Sequence, residues 1–362
     1  MAATKVSVAI AGAGPVGRAT AAYLAHHGTA VALWSPSGKS TQALVTTAGR
    51  GRLTYEGALQ GEADVGILTD AAQLADFEVV VVALPGHAYL TVLPRIVPHL
   101  HSAQIVIVSG ALSLAPLWIA ERTGTKGNRP LVASWGTTLA TARHAGDSGV
   151  SINTLRTRFE VAATPSSRIG EALDKCRALF GDRFTPLDNI LATALLNVNP
   201  VAHVAEVLPN LTRIDKHENW PLFDNLTPSA ARIGEAIDLE RQAIARAFGY
   251  NVRSIHEHTH LSYHVPLGSY ADMAAAIPAR DGSPPGPITL NHRYVVEDVP
   301  FGLVFYEALA RMVNVPTPNI SAAITLLSSA CGHDLRLDNP LLAELDFASH
   351  TPAALIARCA GQ

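Results

Sequence analysis

The fold class is decided by the stretch Val6–Gly17, which reads Val-Ser-Val-Ala-Ile-Ala-Gly-Ala-Gly-Pro-Val-Gly. An apolar run enters a Gly-x-Gly-x-x-Gly turn directly, and an alanine-rich segment of helical composition follows. In a βαβ unit, Gly12 permits the tight bend, Gly14 lets a pyrophosphate approach the backbone, and Gly17 lets the helix pack close to the strand. The positive end of the helix dipole favours that anion. The stretch therefore predicts a dinucleotide site formed by these residues: Gly12, Gly14, Pro15, Val16 and Gly17.

The residues after the turn support this interpretation. Helical composition extends from about Pro15 to His27, Gly28 predicts the helix end, and Ala30–Trp34 resembles a second buried strand. A glycine turn that binds nothing is the alternative, and the flanking strand and helix argue against it.

Length and composition favour two domains and a small ligand. A chain of 362 residues, 48% of them hydrophobic, is long enough to bury two cores. Charged residues make up only 16% of the chain, and the formal net charge is -3. This composition lacks the polybasic character that nucleic acids or anionic membranes attract, so we expect neither as a partner.

The cysteines indicate a reducing compartment. Cys176, Cys331 and Cys359 are odd in number and far apart in sequence, which favours free thiols over a disulfide framework. We also expect neither a signal peptide nor a run of the roughly 20 apolar residues that span a bilayer. The predicted location is the cytoplasm.

The order of apolar segments predicts an α/β fold with a mainly helical second half. We expect an N-terminal Rossmann domain, residues 1–186, with a doubly wound parallel sheet, and a helical substrate-binding domain, residues 187–362. The predicted strands are Lys5–Ala11, Ala30–Trp34, Val79–Leu84, Ile105–Val108 and Leu131–Ser134. The clearest helices are predicted around Ile233–Phe248, Leu303–Val313 and Ile320–Cys331, and Ala279–Pro287 is predicted to be an exposed loop.

Loops at the carboxyl ends of parallel strands carry ligands in such sheets. Leu84 and Pro85, at the end of the Val79 strand, are therefore predicted to border the nucleotide. Arg143 follows the fifth predicted strand and is a candidate contact for a substrate carboxylate, although a structural role is the simpler interpretation.

The end of the second predicted strand favours NADP. NAD-binding folds usually place an acid there to accept both ribose hydroxyls, whereas this chain reads Leu33-Trp-Ser-Pro-Ser-Gly-Lys39. Ser35 and Ser37 can donate hydrogen bonds to a 2′-phosphate, and Lys39 can neutralise its charge. A pocket that accepts either NADP or NAD stays open as the alternative.

Two segments of the helical half place ionisable groups among apolar residues, Asn197–His203 and Asn291–Asp298. Hydride transfer to a C=O or C=N bond needs a proton donor near neutral pH and a cation for a substrate carboxylate, which His203 and Arg293 can supply. Asp298 can orient the imidazole and raise its pKa. A structural histidine and a simple ion pair are the alternatives from spacing alone.

The same segments belong to a set that resembles the octopine/nopaline (opine) dehydrogenase family: Leu195–His203, Leu226–Ser229, Asp238–Gly249, Gly286–Asp298 and Val313–Pro318. The resemblance implies a Rossmann domain and a helical domain that reductively join an α-keto acid to an amino group. It also implies that His203 is the catalytic histidine, Asp298 its partner and Arg293 the keto-acid-binding residue. Asn199 is added as a candidate substrate contact. Pyruvate is the default keto acid, and the amino donor stays unassigned.

Three other interpretations are weaker. His256-Glu-His-Thr-His260 satisfies the His-Glu-x-x-His zinc pattern, but no third ligand is evident and we predict no metal. A ketopantoate-reductase-like or 3-hydroxyacid dehydrogenase would share the architecture, yet Lys216 is the only lysine after Lys175 and lies in a charged stretch. A nucleotide-sensing protein without turnover is the non-enzymatic alternative. The helical domain also makes a homodimer conceivable.

Overall fold

The computed structural model describes residues 7–124, 129–278 and 282–362, which form two compact units. The N-terminal unit comprises Met1–Ala194 together with Ile356–Gln362, and the helical unit comprises Leu195–Leu355. The division falls a few residues after the expected boundary because Thr193 Oγ1 lies 2.8 Å from Ser134 Oγ of the N-terminal unit. The C-terminal segment belongs to this unit through Arg358, whose guanidinium donates to Glu121 at 2.8 and 2.9 Å.

The described strands of the N-terminal unit form one sheet. In chain order they are β1 Ser7–Ala11, β2 Ala30–Trp34, β3 Val45–Thr47, β4 Arg50–Gly57, β5 Gly61–Leu68, β6 Val79–Val82, β7 Ile105–Val108, β8 Leu131–Trp135, β9 Ala140–Ala145, β10 Gly149–Leu155, β11 Phe159–Thr164 and β12 Phe184–Pro186. The five strands predicted from sequence are all present within a few residues, although positions 5 and 6 lie outside the described residues.

The prediction of a parallel sheet holds for the centre of the sheet and is wrong for its two sides. The order is β12-β11-β8-β7-β6-β1-β2-β5-β4-β10-β9, with β3 paired to β4, and the strands from β8 through β5 are parallel. Antiparallel pairs join β11 to β8 and β4 to β5. The side strand β4 alternates exposed and buried residues, so it lacks the continuous apolar run that marks a central strand.

The described helices are α1 Pro15–His26, α2 Lys39–Gln42, α3 Tyr89–Ile96, α4 Ala115–Gly124, α5 Ile169–Phe180, α6 Ile190–Leu195, α7 Asn199–Val207, α8 Leu211–Asp215, α9 Pro228–Ala247, α10 Ile255–Tyr263, α11 Tyr270–Ala276, α12 Arg293–Val296, α13 Phe305–Met312, α14 Pro318–Cys331, α15 Leu341–Glu344 and α16 Pro352–Ala360. The fold class predicted from sequence, a Rossmann sheet followed by a mainly helical half, is confirmed. A π-helical turn over Val299–Val304 precedes α13, so that α-helix begins at Phe305 rather than Leu303.

Two close approaches fix α7 in the helical unit. A Cβ on Gly234 of α9 would lie 2.9 Å from the Ala205 Cβ, so glycine lets α9 pack directly against α7. A Cβ on Gly302 would lie only 2.1 Å from the Pro200 Cγ, so the π-helical turn packs equally closely against the first turn of α7. These contacts hold the chain around residue 298 beside α7.

The loop predicted over Ala279–Pro287 is only partly exposed. Residues 279–281 lie outside the described residues. Gly286 and Pro287 are buried, because the Trp220 ring packs on Gly286 and its Nε1–H donates to the Pro287 carbonyl at 3.1 Å. The Gly and Pro content gave no sign of this tryptophan, which lies far away in sequence.

One stretch of 26 residues, Ile190–Asp215, is long and apolar enough to cross a membrane by length and composition alone. The expectation that no such run exists is therefore wrong. In the structure 83% of its most apolar window is buried inside the protein, as in the core helices of folded units.

Candidate active site

His203 and Asp298 form a buried hydrogen-bonded pair in the helical unit. His203 lies in the middle of α7, and Asp298 directly precedes the π-helical turn. His203 Nδ1–H donates to Asp298 Oδ2 at 2.6 Å, and the two residues are 9% and 2% exposed. With Nδ1 engaged, Nε2 is the ring nitrogen left for proton transfer with a substrate.

The pKa of His203 lies below its usual value of 6.5. Burial lowers it most, and the nearby Arg293 lowers it further, while the charge and hydrogen bond of Asp298 raise it without compensating fully. Asp298 thus raises the pKa of His203 as expected, and the larger opposing effect of burial could not be seen from sequence spacing. At neutral pH the ring is uncharged, and Nε2 is a proton acceptor.

The segment with Arg293 lies beside this pair. His292 caps α12, its Nδ1 accepting from the Tyr294 N–H at 3.4 Å. The Tyr294 ring stacks on the His203 ring with centroids 3.5 Å apart and 15° between planes. The Arg293 guanidinium carbon lies 5.3 Å from the Tyr294 ring centroid. A cation is therefore held next to the proton-transferring imidazole.

Arg293 is suited to hold a substrate carboxylate. The residue is exposed overall, and among the described residues no carboxylate forms an ion pair with it. Burial of part of the side chain lowers its pKa, but the charges of Asp298 and Glu297 outweigh that effect and raise it. The fixed positive charge and forked donors match a carboxylate.

Two residues of this site were not predicted from sequence. Tyr294 follows Arg293 directly and forms the stacking face for His203. Glu206 lies three residues after His203 on α7 and is 3% exposed. Side chains three positions apart on a helix are neighbours, so the His-Val-Ala-Glu spacing was the signal that could have found Glu206.

Asn199 and Arg143, the two other predicted substrate contacts, lie in different units of the structure. Asn199 is half-buried at the first turn of α7, four residues before His203 and on the same helix face. Arg143 is exposed on the sheet-edge strand β9 of the N-terminal unit, and the His203 group forms without it. Their roles as substrate contacts stay predictions.

The glycine turn of the N-terminal unit fits a dinucleotide. Gly12 has φ +119°, and a Cβ there would meet the Ala83 carbonyl oxygen at 2.2 Å. A Cβ on Gly17 would lie 1.9 Å from the Gly12 carbonyl oxygen, so α1 packs against the turn as expected. Gly14, by contrast, has open space around it. Two glycines thus shape the turn, and the third leaves room for a pyrophosphate at the start of α1, where Pro15 and Val16 lie.

Leu84 and Pro85 adjoin the same turn. A Cβ on Gly12 would lie 3.2 Å from Leu84 Cδ2, so this side chain borders the glycine turn. Pro85 is exposed at the end of the β6 segment, before a short 3₁₀ turn. Their roles at the edge of a nucleotide site stay predictions.

The end of β2 carries more positive charge than the sequence pattern suggested. Ser35 is buried, whereas Ser37 and Lys39 are exposed. Arg95 of α3 donates to the Pro36 carbonyl at 2.9 Å and lies 5.3 Å from the Trp34 ring centroid, which brings a second cation to this loop. A cavity of about 530 Å³ beyond Lys39 is lined by Arg18, Lys39, Gln42, Ala43, His144, Gly146 and Asp147.

The His-Glu-x-x-His segment has structural contacts. Glu257 and Ser254 form a reciprocal capping box at the start of α10. His256 Nε2 pairs with Glu235 at 3.1 Å, and His260 Nδ1 contacts the Val265 carbonyl at 2.7 Å. Among the described residues no group of three or more metal-binding side chains occurs. The described contacts of this segment thus lie at the two ends of α10 and on Glu235.

The comparisons with known proteins agree with this arrangement. Residues 186–331 match the NAD/NADP octopine/nopaline dehydrogenase alpha-helical domain, and residues 7–112 match the N-terminus of NAD-dependent glycerol-3-phosphate dehydrogenase. The chain is 31% identical over 352 residues to the opine dehydrogenase of Arthrobacter sp. (strain 1C), covering 96% of this chain and 97% of that protein.

Solved structures share the whole fold. Octopine dehydrogenase in complex with NADH and L-arginine has a TM-score of 0.75 at 16% identity, covering 99% of this chain and 98% of that one. Yersinopine dehydrogenase with NADP+ bound has a TM-score of 0.71 at 19% identity, covering 98% and 97%. The resemblance found in the sequence is thereby confirmed. The chain belongs to the octopine/nopaline (opine) dehydrogenase family and is an NAD(P)-dependent oxidoreductase.

Proposed function

We propose that this enzyme joins an α-keto acid, pyruvate by default, to the amino group of an amino acid or amine and reduces the product to an N-(1-carboxyalkyl) amine. The observation that carries this proposal is the buried His203–Asp298 pair with the Arg293 cation beside it. Family membership supplies the reaction type, and these three residues supply the chemistry that it needs.

Each residue has a distinct task. Arg293 binds the keto-acid carboxylate and so places the neighbouring carbonyl near His203. Neutral His203 takes a proton from the substrate ammonium, which frees the amine to attack the carbonyl carbon. The resulting imidazolium is stabilised by Asp298 and returns the proton to the departing hydroxyl, which leaves as water. The C=N bond that forms carries one positive charge.

The glycine turn Gly12–Gly17 would hold the nicotinamide nucleotide, which would supply the hydride for reduction of this C=N bond. Asn199, on the face of α7 that bears His203, is proposed as a substrate contact. Arg143 keeps only the weaker role of a peripheral contact for a substrate carboxylate, since it is exposed on an edge strand.

We further propose NADP as the preferred nucleotide over NAD. Ser35, Ser37 and Lys39 can bind the 2′-phosphate of NADP, and no acid at the end of β2 would repel it. Arg95, held at the Pro36 carbonyl, supports it independently because a guanidinium favours a 2′-phosphate through charge and paired donors.

The decisive experiment follows NADPH oxidation with pyruvate and a panel of amino acids and amines, with each component alone as a control. We expect oxidation only when the keto acid and a suitable amine are both present. Oxidation with a keto acid alone would identify a carbonyl reductase of the ketopantoate type. Nucleotide binding without any turnover would indicate a sensor.

We also propose a cellular location and an oligomeric state for the enzyme. The three cysteines are unpaired, and Cys176 and Cys359 are buried, which supports the proposed cytoplasmic location. Pairing into a homodimer is proposed for the same enzyme and is tested by its mass in solution.

A further inference from the structure

Glu206 is a buried acid with an unpaired carboxyl oxygen. Its Oε2 atom is sealed from solvent and accepts no hydrogen bond within the described ranges. A buried polar atom left unpaired destabilises a fold. The backbone carbonyl of the same residue, by contrast, accepts from Asn210 Nδ2 at 2.8 Å.

Another glutamate of the same unit shows what a structural role looks like. Glu240 of α9 is similarly buried, but its Oε1 accepts from Asn319 N and Nδ2 at 2.8 and 2.7 Å. Its Oε2 accepts from the Ile320 N–H at 2.8 Å. Glu240 thus caps the start of α14 with both oxygens, whereas the carboxyl group of Glu206 stabilises no helix end.

The surroundings of Glu206 are those of the catalytic pair. It lies one helical turn after His203, and its charge interacts with Asp298 and Arg293. Its pKa is raised to about 8: burial contributes most, the charge of Asp298 adds to the increase, and Arg293 opposes it. The titratable groups that interact with it from the elements packed around α7 are Tyr270, Arg293, Tyr294 and Asp298, and His203 lies on α7 itself.

The proposed reaction needs a negative charge near the substrate nitrogen that is present only while this nitrogen is positively charged. The substrate nitrogen is positive as ammonium, as the protonated C=N bond and as the product ammonium. Asp298 is already paired with His203, and a second permanent anion would weaken the hold of Arg293 on the keto-acid carboxylate. An acid that is neutral until a cation binds provides a counter-charge for the nitrogen and does not weaken carboxylate binding by Arg293 beforehand.

Building on the proposed function, we propose that Glu206 is a positioning residue that provides the counter-charge for the cationic nitrogen. Its carboxyl group keeps its proton while the site holds only the nucleotide and a keto acid, and it loses the proton to solvent when the cation is present. The proton is regained when the product leaves, so the step adds nothing to the overall balance. The residue thereby favours C=N over C=O substrates without touching the reacting atoms.

The test uses a matched pair of diacids on the intact enzyme saturated with NADPH. N-(1-carboxyethyl)alanine carries two carboxylates and a secondary ammonium, and 2,4-dimethylglutarate replaces the nitrogen by a methylene group. Proton release on binding is measured at pH 7.5 by calorimetry in buffers of different ionisation enthalpy. We expect the ammonium compound to release a large fraction of one proton, because Glu206 is mostly protonated at this pH before binding, and dimethylglutarate to release none.

The isosteric variant Glu206→Gln tests whether Glu206 is the source of the released proton. We expect it to abolish the release and to weaken binding of the ammonium diacid about tenfold while leaving dimethylglutarate binding unchanged. The control Glu240→Gln should lower thermal stability and leave the proton release intact. A release that persists in Glu206→Gln would overturn the proposal.

The wild-type enzyme gives a second readout that does not depend on the variant folding. Its preference for the ammonium diacid over dimethylglutarate should rise between pH 6.5 and pH 9, as Glu206 becomes ionised before binding. A flat preference would overturn the role of Glu206 while leaving the proposed function standing. Failure of both diacids to bind, together with no turnover of keto acid and amine, would instead refute the proposed function and this inference with it.

Discussion

His203 and Asp298 illustrate how burial changes the chemistry of a residue pair. The sequence indicated both residue types and the family resemblance indicated their pairing, but neither revealed the depth at which the imidazole lies. Because burial lowers the pKa of His203 more than the Asp298 carboxylate raises it, this pKa falls below its usual value. Glu206 escaped notice for the same reason, since a glutamate on a helix is most often a solvated residue.

The lowered pKa of His203 predicts the acid side of the pH profile. The residue must be neutral to accept the ammonium proton, so the His203 inflection in kcat/KM for the amine should lie below pH 6.5. The measurement is kcat/KM between pH 5 and pH 8 at saturating NADPH, made on Glu206→Gln so that ionisation of Glu206 does not contribute to the profile. An inflection above 6.5 in this variant would contradict the placement of His203 in a desolvated site.

Asp298→Asn should shift this profile in a defined direction. Asp298 raises the pKa of His203 by charge and hydrogen bond, so its neutral isostere should move the acid inflection to lower pH. Turnover should also drop by about 10²–10⁴, because the imidazolium loses its counter-charge. An unchanged inflection would show that the pair does not act as a unit. NADPH binding, measured by fluorescence titration, serves as the control and should stay the same.

At the scale of elements, close helix packing positions the catalytic pair. The π-helical turn over Val299–Val304 lies against α7 only because residue 302 lacks a side chain. Gly302→Ala should therefore push the Asp298 segment away from His203, destabilise the protein by roughly 1–3 kcal/mol and lower kcat. Thermal unfolding and steady-state kinetics measure both effects. The control Gly268→Ala meets no atom within 4 Å and should change neither. Equal behaviour of the two variants would contradict this account of the packing.

The loop after β2 carries the prediction about nucleotide choice. Arg95→Gln and Lys39→Gln each remove a positive charge there, so each should lower kcat/KM for NADPH about tenfold and leave NADH nearly unchanged. Arg168→Gln, which removes an exposed charge paired with Glu171, is the control and should not alter the ratio. Equal losses with both nucleotides would contradict recognition of the 2′-phosphate.

The central strands and the long helices could be predicted from sequence, because buried apolar runs and helical spacing are local signals. Strand β6, with four consecutive valines, and helix α9, capped by Thr227, are examples. The antiparallel strands β4 and β5 could not be predicted in the same way, since β4 alternates exposed and buried residues and the first half of β5 is mostly exposed. Their pairing is fixed by contacts between strands, which single segments do not encode.

At the scale of the whole molecule, the chain divides its chemistry between two compact units. The glycine turn and the positively charged loop after β2 belong to the N-terminal unit, and the His203 group belongs to the helical unit. The return of Ile356–Gln362 to the N-terminal unit had no local signal in the sequence. It depends on the long-range ion pair between Arg358 and Glu121.

The central claim is that His203 transfers the proton in reductive condensation, and product formation by His203→Ala tests it most directly. With NADPH, pyruvate and the best amine of the panel, formation of the secondary amine is followed by mass spectrometry, and NADPH affinity is measured in parallel. The account predicts unchanged NADPH affinity and a loss of product formation of at least about 10². Product formation within about tenfold of the wild-type rate would contradict it.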